Sequence, residues 1–454
     1  MLPDASTLAS PSPAASAPPH APPAAAASSP PAPRRFSALA DALVGSEILK
    51  IAAEIRAMRE AGAAIGNLTV GDFDPAEFRI PRVLAEGIAA ALAAGETNYP
   101  PSTGLPALRK AVSAFYAREL SLDYPADSVL VTSGSRPGIY ATYRTLLDPG
   151  DRVIYPVPSW NNNHYAHLSS AEGVTVTCRQ EDDFLPTREL LEPVVRGARL
   201  IALCSPLNPA GTAFSAEALG GICDLVLEEN ARRERSGERP LYLLYDQVYW
   251  TLTFGDTVHY TPVGLRPAMT AYTIFVDGIS KAFAATGVRV GWVAGPADVV
   301  RRMGEMIGHV GAWAPRAEQV ATAAFLNDAR AVAGYRAAIV RGVRDRLDAL
   351  YAGIEAMRAD GLPVDAVEPM GAIYLSARFD LVGCHTSDGN ELRTNEDVRR
   401  YLLRRAGVAV VPFQAFGATD DTGWFRLSVG AISGEEIAKL LPRLREAVEA
   451  ACSV

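Results

Sequence analysis

A buried strand that leads into a lysine constrains this chain more than any other feature. The run 273–276 is β-branched and aromatic, which predicts a short buried strand, and Asp277-Gly278 is a turn signal that ends it. Lys281 follows among small residues. An amine at the end of a buried strand is partly stripped of water, and this desolvation favours its neutral, nucleophilic form.

Such an amine can form a Schiff base with an aldehyde cofactor. Arg289, eight residues after Lys281, is a cation that could hold a phosphate near it. The alternative is a strand-end lysine in a solvated turn and an arginine in a surface ion pair. On these residues alone the two interpretations stand about level.

Strands alternate with helices from about residue 80 to 315, which predicts a mostly parallel sheet covered by helices on both faces. Apolar residues at helical spacing predict helix over residues 36–61 and again over 317–359. Short strands and a closing helix follow. The fold class is therefore α/β, with a smaller α+β part towards the C-terminus.

Two charged residues stand where burial would be costly. Asp246 ends an apolar strand, and a carboxylate there is expensive unless it is paired. Arg426 stands between aromatic and aliphatic neighbours, where an arginine is costly to bury without a carboxylate partner. The structural alternatives are a strand-end cap for Asp246 and an internal ion pair for Arg426.

The turns after two other strands carry polar groups. Ser135 and Arg136 stand between a small-residue turn and a helix start, where backbone N–H groups and the helix dipole favour an anion. Asn208 lies in a loop stiffened by two prolines directly after the apolar strand 200–203. A generic turn is the alternative in both places.

Composition excludes several classes of protein. The net charge of −8 argues against a nucleic-acid binder held by bulk electrostatics. The five cysteines are scattered without a CxxC pair, which suits a reducing cytoplasm, and the histidines show no metal-ligand spacing. No apolar run approaches the length of a membrane span. Residues 1–36 are almost entirely Ala, Pro and Ser, and they predict a disordered tail without a signal peptide.

Five residues around the lysine stand at the offsets of a known signature: Ser280, Lys281, Gly287, Arg289 and Gly291. The pattern resembles the active-site signature of class I/II aminotransferases, fold-type-I enzymes that depend on pyridoxal 5′-phosphate (PLP). Further blocks of the family follow in its order over roughly residues 40–450. The resemblance implies a large PLP domain at 81–315, a small domain formed by 37–80 and 316–454, and a homodimer with active sites at the interface.

The resemblance assigns most of the polar candidates to the cofactor. Lys281 would carry it, Asp246 would pair with its ring nitrogen, and Trp160 would lie over its ring. Asn208 and Tyr249 would hydrogen-bond its phenolic oxygen. Lys281, Asp246 and Tyr249 are therefore the predicted catalytic residues.

The cofactor phosphate has its own predicted ligands. The resemblance places Ser135, Arg136, Ser280 and Arg289 around it, and Tyr99 would reach it from the partner subunit. The family usually has a Ser or Thr three residues before the lysine as a further donor, and this chain has Gly278 there.

For the substrate, the resemblance implies that Arg426 binds the α-carboxylate and that Gly71 lets the backbone approach it. In one branch of the family a lysine at the position of Arg136 binds a distal carboxylate, which suggests an acidic amino donor such as aspartate or glutamate. A salt bridge from Arg136 to a neighbouring subunit is the alternative. One member of the cluster 161–164 could also reach the cofactor, and the sequence does not say which.

The predicted function is a PLP-dependent aminotransferase that moves an amino group from an amino acid to a 2-oxo acid by a ping-pong mechanism. A β-lyase, racemase or decarboxylase on the same scaffold would use the same cofactor residues. A non-catalytic regulatory module is a weaker alternative, because the Ala/Pro/Ser tail stands where such regulators carry a DNA-binding domain.

Overall fold

The structure, a computed structural model, describes residues 35–45, 47–386 and 388–452. Of the tail predicted over 1–36, residues 1–34 lie outside the described residues. The chain packs as two units, 1–42 and 43–454. In the first unit the described residues form one short helix, and the second unit contains every other described element.

The strands are short, and most of them lie between residues 129 and 294. In chain order they are β1 (Gly66–Asn67), β2 (Val129–Thr132), β3 (Arg152–Val157), β4 (Glu172–Thr177), β5 (Ala198–Cys204), β6 (Tyr242–Asp246), β7 (Thr273–Gly278), β8 (Gly291–Ala294), β9 (Val364–Ala366), β10 (Tyr374–Phe379), β11 (Val408–Ala409), β12 (Val411–Pro412) and β13 (Trp424–Ser428).

Helices separate these strands along the chain. They are α1 (Ala38–Asp41), α2 (Glu47–Glu60), α3 (Arg82–Ala93), α4 (Pro106–Leu120), α5 (Ser135–Leu146), α6 (Asn162–Leu168), α7 (Arg188–Leu191), α8 (Ala216–Ser236), α9 (Pro262–Leu265), α10 (Ile279–Ala282), α11 (Ala297–Val310), α12 (Arg316–Asn327), α13 (Ala329–Ala359), α14 (Asn395–Ala406) and α15 (Gly434–Cys452).

The central sheet has seven strands in the order β2-β8-β7-β6-β5-β3-β4. Every pairing is parallel except those of β8, which runs antiparallel to both of its neighbours. Successive residues of β6 enter different apolar clusters: Leu243 and Tyr245 pack in one, and Leu244 packs in the other. Both faces of the sheet are therefore buried, which confirms the predicted mostly parallel α/β sheet.

A second sheet lies towards the C-terminus. It has four antiparallel strands in the order β12-β13-β10-β9 and packs in a third apolar cluster. In it Arg426 of β13 pairs with Ser376 of β10 and Val411 of β12. The N-terminal strand β1 joins this part of the chain through a parallel pairing with β11.

The division into a large domain at 81–315 and a small domain from 37–80 and 316–454 stays a prediction. The central sheet draws all its strands from 129–294, and the four-stranded sheet draws its strands from 364–428.

Within the described part of the chain, none of the helices has both the length and the apolar character that a bilayer crossing requires.

Two predicted helices are each interrupted, so the sequence expectation was wrong at these points. The helix predicted over 36–61 is divided into α1 and α2, and Gly45, a poor helix former, lies between them. The helix predicted over 317–359 breaks at Asp328. The Asp328 carboxylate accepts a hydrogen bond from Ala331 N and thereby caps the start of α13.

Candidate active site

A cavity of about 510 Å³ opens at the carboxyl end of the parallel strands. Strands β5 and β6 bring Cys204 level with Asp246, and β7 leads into α10, which carries the lysine. All but one of the predicted site residues line this cavity: Gly71, Ser135, Arg136, Trp160, Asn208, Asp246, Tyr249, Ser280, Lys281, Arg289 and Arg426. Residues from most of the sequence thus meet in one place.

Lys281 is a desolvated amine, as the sequence predicts. Its Nζ donates a hydrogen bond to the carbonyl oxygen of Gly71 at 2.5 Å. Burial, with smaller contributions from the nearby guanidinium groups of Arg426, Arg136 and Arg289, lowers the pKa of Lys281 to about 8 against the opposing charge of Asp72. A substantial fraction of the amine is therefore neutral near pH 8.

Asp246 ends β6 in the cavity wall without a cationic partner. Its carboxylate accepts a hydrogen bond from Val248 N at 3.2 Å, and no Lys or Arg pairs with it among the residues that the structure describes. Burial raises the pKa of Asp246 to about 7. A cation placed beside it would lower that pKa, so the carboxyl group is suited to a ligand that carries a protonated ring nitrogen.

Arg426 is a buried cation with neutral partners only. Its side chain is 1% exposed, and it donates from Nη1 to Asn208 Oδ1 at 3.1 Å and from Nη2 to Thr69 O at 2.6 Å. The guanidinium lies between the rings of Tyr374 and Phe416, 4.7 and 4.8 Å from their centroids. Its Nε has no partner in the described chain. The internal ion pair that the sequence left open is not formed there, and the group is suited to an incoming carboxylate.

The loop after β5 fixes the side chain of Asn208. Because Asn208 Oδ1 accepts the bond from Arg426, its amide N–H groups remain to donate into the cavity. Tyr249 lies nearby in the cavity wall, and its hydroxyl is 2.6 Å from the hydroxyl of Tyr374. The two residues thus offer the donors that a phenolic oxygen requires.

Glycines shape a cradle for an anion at the start of α5. Gly134 has φ 78° and precedes the first N–H groups of that helix, which have no intrahelical acceptor. A Cβ on Gly134 would collide with the guanidinium of Arg289. That guanidinium donates to the carbonyl oxygens of Ser133 and Thr286, at 3.0 and 2.6 Å. The cradle combines a fixed cation with free backbone donors and fits a phosphate.

Trp160 and Arg136 form one wall of the cavity. The guanidinium carbon of Arg136 lies 4.3 Å from the centroid of the Trp160 ring, and no carboxylate pairs with Arg136 in the described chain. In the cluster 161–164, Asn162 lines the cavity. Asn162 accepts a hydrogen bond from Tyr143 and donates one to Ser159, at 3.0 and 3.2 Å.

Tyr99 is the one predicted site residue that does not line the cavity. It is 83% exposed, and its ring packs edge-on against Trp313 with centroids 5.6 Å apart. A tyrosine that acts on a partner subunit would also be exposed in a single chain, so the predicted role of Tyr99 remains open.

Five residues that sequence reasoning did not assign also line the cavity with polar atoms: Asp72, Tyr165, Cys204, Thr286 and Tyr374. Asp72 directly follows Gly71, and Cys204 directly follows the strand predicted over 200–203, so position next to these features is the signal that could have found both. Because side chains alternate along a strand, the sequence predicts that Tyr374 and Ser376 lie on the same face of β10. It does not predict that this face is turned towards the cavity.

We predict that Gly278→Ser will not restore the donor that the family usually has at this position. A Cβ on Gly278 would lie 2.8 Å from Cα of Gly291, the first residue of β8, and 2.9 Å from the carbonyl oxygen of Val290, which directly precedes β8. The variant should lose about 1–3 kcal/mol of unfolding free energy, measured by denaturant titration. Gly334→Ser is the matched control, because a Cβ there meets nothing within 4 Å. Equal stability of the two variants would contradict the prediction.

Comparison with known proteins agrees with this geometry. Residues 64–444 match the family model described as aminotransferase class I and II. An aspartate aminotransferase of Rhizobium meliloti (strain 1021) is 31% identical over 407 residues, which cover 89% of this chain and 94% of that protein.

Two solved structures are similar over nearly their whole length. The crystal structure of the aspartate aminotransferase from Rhizobium meliloti has a TM-score of 0.83 at 29% sequence identity. The match covers 92% of this chain and 100% of the chain in that structure. The structure of the aspartate aminotransferase from Thermus thermophilus with maleate has a TM-score of 0.81 at 27% sequence identity. The match covers 91% of this chain and 100% of the chain in that structure. The chain therefore belongs to the class I and II aminotransferases and is an enzyme of that family.

Proposed function

We propose that this aminotransferase binds PLP in the central cavity and takes an acidic amino acid as its amino donor. The proposal rests on three groups that line one cavity: the Lys281 amine, whose pKa is lowered to about 8, the half-buried Asp246 carboxyl group without a cationic partner, and the buried Arg426 guanidinium without a carboxylate partner in the described chain. When bound, PLP supplies an aldehyde for an amine and a ring that stabilises negative charge at the substrate α-carbon.

The chain's own residues meet the needs of such a cofactor at three places. Arg289 and the first N–H groups of α5 would hold the phosphate, with the Ser280 hydroxyl close by. Asp246 would hold the ring nitrogen as an ion pair. Asn208 and Tyr249 would donate to the phenolic oxygen.

The reacting substrate would be held by its α-carboxylate. Arg426 offers two guanidinium nitrogens on a rigid, buried side chain, so a carboxylate can be gripped in one orientation. Lys281 Nζ would then serve as the base that takes the proton from the α-carbon and later returns one, because its pKa of about 8 lets the amine both accept and release a proton near that pH.

Arg136 supports an acidic donor. It lines the same cavity, stacks on Trp160 and has no carboxylate partner in the described chain. The Thermus thermophilus relative has been solved with maleate, a dicarboxylate. A guanidinium in this place can form a bidentate pair with the second carboxylate of aspartate or glutamate.

We predict that Arg136→Gln lowers kcat/KM for L-aspartate and L-glutamate by about ten- to a hundredfold, because a charge-assisted bidentate pair is lost. Steady-state assays with a neutral donor such as L-alanine in the same variant provide the control and should change by less than about threefold. An equal loss with acidic and neutral donors would show that Arg136 acts on the cofactor and not on substrate choice.

We further propose that the enzyme works as a homodimer in which Tyr99 reaches the partner subunit's cofactor phosphate. The exposure of this aromatic residue, beside Trp313, supports the proposal. Tyr99→Phe should weaken PLP binding about tenfold, measured by equilibrium dialysis, and sedimentation should give twice the chain mass. A monomer with wild-type PLP affinity in Tyr99→Phe would refute this arrangement.

A further inference from the structure

Two buried tyrosines, Tyr249 and Tyr374, share a hydrogen bond between their hydroxyl groups, and Tyr374 has no role in the proposed function. Tyr249 and Tyr374 are 3% and 0% exposed, and their hydroxyl oxygens are 2.6 Å apart. Their rings pack edge to face with centroids 5.5 Å apart. Both residues line the central cavity.

The number of hydrogens in this pair limits what it can do. Two hydroxyl groups carry two hydrogens, and one of these lies in the bond between them. No other hydrogen-bond partner of either hydroxyl is found in the described chain. The pair therefore has one free donor, and the direction of the shared bond decides which tyrosine offers it to the cavity.

The surroundings of Tyr374 constrain its hydroxyl. A Cβ on Gly71 would lie 3.0 Å from this oxygen, so only a glycine there leaves the hydroxyl in its place without a close contact. The opposite end of the residue is fixed as well, because the Arg426 guanidinium lies over its ring. Tyr374 is therefore held at both the ring and the hydroxyl.

We propose that Tyr374 is a positioning residue of the reaction: it donates its hydroxyl hydrogen to Tyr249 and so directs the Tyr249 donor to the phenolic oxygen of the cofactor. The inference rests on the proposed function, since it requires PLP in the cavity. A hydroxyl that accepts a hydrogen bond is the stronger donor in turn, so Tyr374 strengthens the Tyr249 contact without touching the cofactor.

The proposal makes a prediction about proton affinity. A donor at the phenolic oxygen stabilises its negative charge, and this lowers the pH at which the nitrogen that links Lys281 to the cofactor loses its proton. That pH is measured as the midpoint of the change in the visible absorption band. Tyr249→Phe should raise the midpoint by about 1–2 pH units, and Tyr374→Phe should raise it by about half a unit.

A double-mutant cycle separates positioning from a structural role. If Tyr374 acts through Tyr249, the Tyr249→Phe/Tyr374→Phe variant should have the same midpoint as Tyr249→Phe alone. Replacing both hydroxyls leaves no unpaired partner, so this comparison remains available even if Tyr374→Phe does not fold by itself. Tyr374→Phe should lower kcat about threefold to tenfold with KM nearly unchanged, since the ring that packs on Arg426 is kept.

The outcomes distinguish the inference from the function on which it rests. A wild-type protein without a PLP band would overturn the proposed function itself. A wild-type band with an unchanged midpoint in Tyr374→Phe, or a further shift when Tyr374→Phe is added to Tyr249→Phe, would overturn the role of Tyr374 and leave the proposed function standing.

Discussion

Replacing Lys281 with alanine should lower kcat by about ten-thousandfold or more while the protein still folds. In the proposed function the amine would be both the anchor for an aldehyde cofactor and the base at the substrate α-carbon, and no second amine lines the cavity in the described chain. Of the chain's four lysines, Lys281 is the one that lines this cavity in the described residues, and burial lowers its pKa to about 8. Steady-state assays with L-glutamate and 2-oxo acids measure the loss.

Lys439→Ala is the control for this variant, because Lys439 is an exposed lysine that pairs with Glu435 on α15. It should retain wild-type kcat. Borohydride reduction followed by peptide mass mapping adds an independent readout: the cofactor mass should be found on the peptide that contains Lys281 and be missing in Lys281→Ala. Full activity in Lys281→Ala would contradict the mechanism.

The second large effect is expected at Arg426. Arg426→Met removes the buried cation that has no carboxylate partner in the described chain, and kcat/KM for amino donors should fall by about a thousandfold. The loss should be seen with acidic and neutral donors alike, since every amino acid substrate carries the α-carboxylate. This distinguishes Arg426 from Arg136, which should affect acidic donors only.

Arg233→Met is the matched control for a buried arginine. Arg233 is 2% exposed, lies on α8 outside the cavity and pairs with Glu229 at 2.7 Å. Its loss should lower the free energy of unfolding by about 2 kcal/mol, because Glu229 then keeps only its two hydrogen bonds from Arg232. The kcat/KM of the folded enzyme should stay within about twofold of the wild-type value. A similar loss of kcat/KM in both variants would mean that Arg426 supports the fold and not the substrate.

Local signals were enough to predict the parts of the site that stand at strand ends. The apolar run before Asp246 and the run before Lys281 specify a buried strand and a residue at its end, and the structure places both in one cavity. The mostly parallel sheet also followed from local alternation of strands and helices, because such units can pack only with helices on both faces.

The parts that escaped prediction depend on contacts between distant segments. Tyr374 meets Tyr249 across 125 positions, and nothing near either residue specifies that contact. The neutral partners of Arg426 come from Asn208 and Thr69, more than 200 positions away. The space beside Gly278 is likewise limited by backbone atoms of Val290 and Gly291. A comparison of sequences shows that the family's hydroxyl is missing at this position, but it does not show that backbone occupies the space a side chain would need.

The most direct test of the central claim is the visible absorption spectrum of the purified, PLP-loaded enzyme during titration with L-glutamate. We expect a cofactor band that bleaches as the amino group moves to the cofactor and returns when 2-oxoglutarate is added. A protein that shows no band after addition of PLP, or a band that neither L-glutamate nor L-aspartate changes, would contradict it.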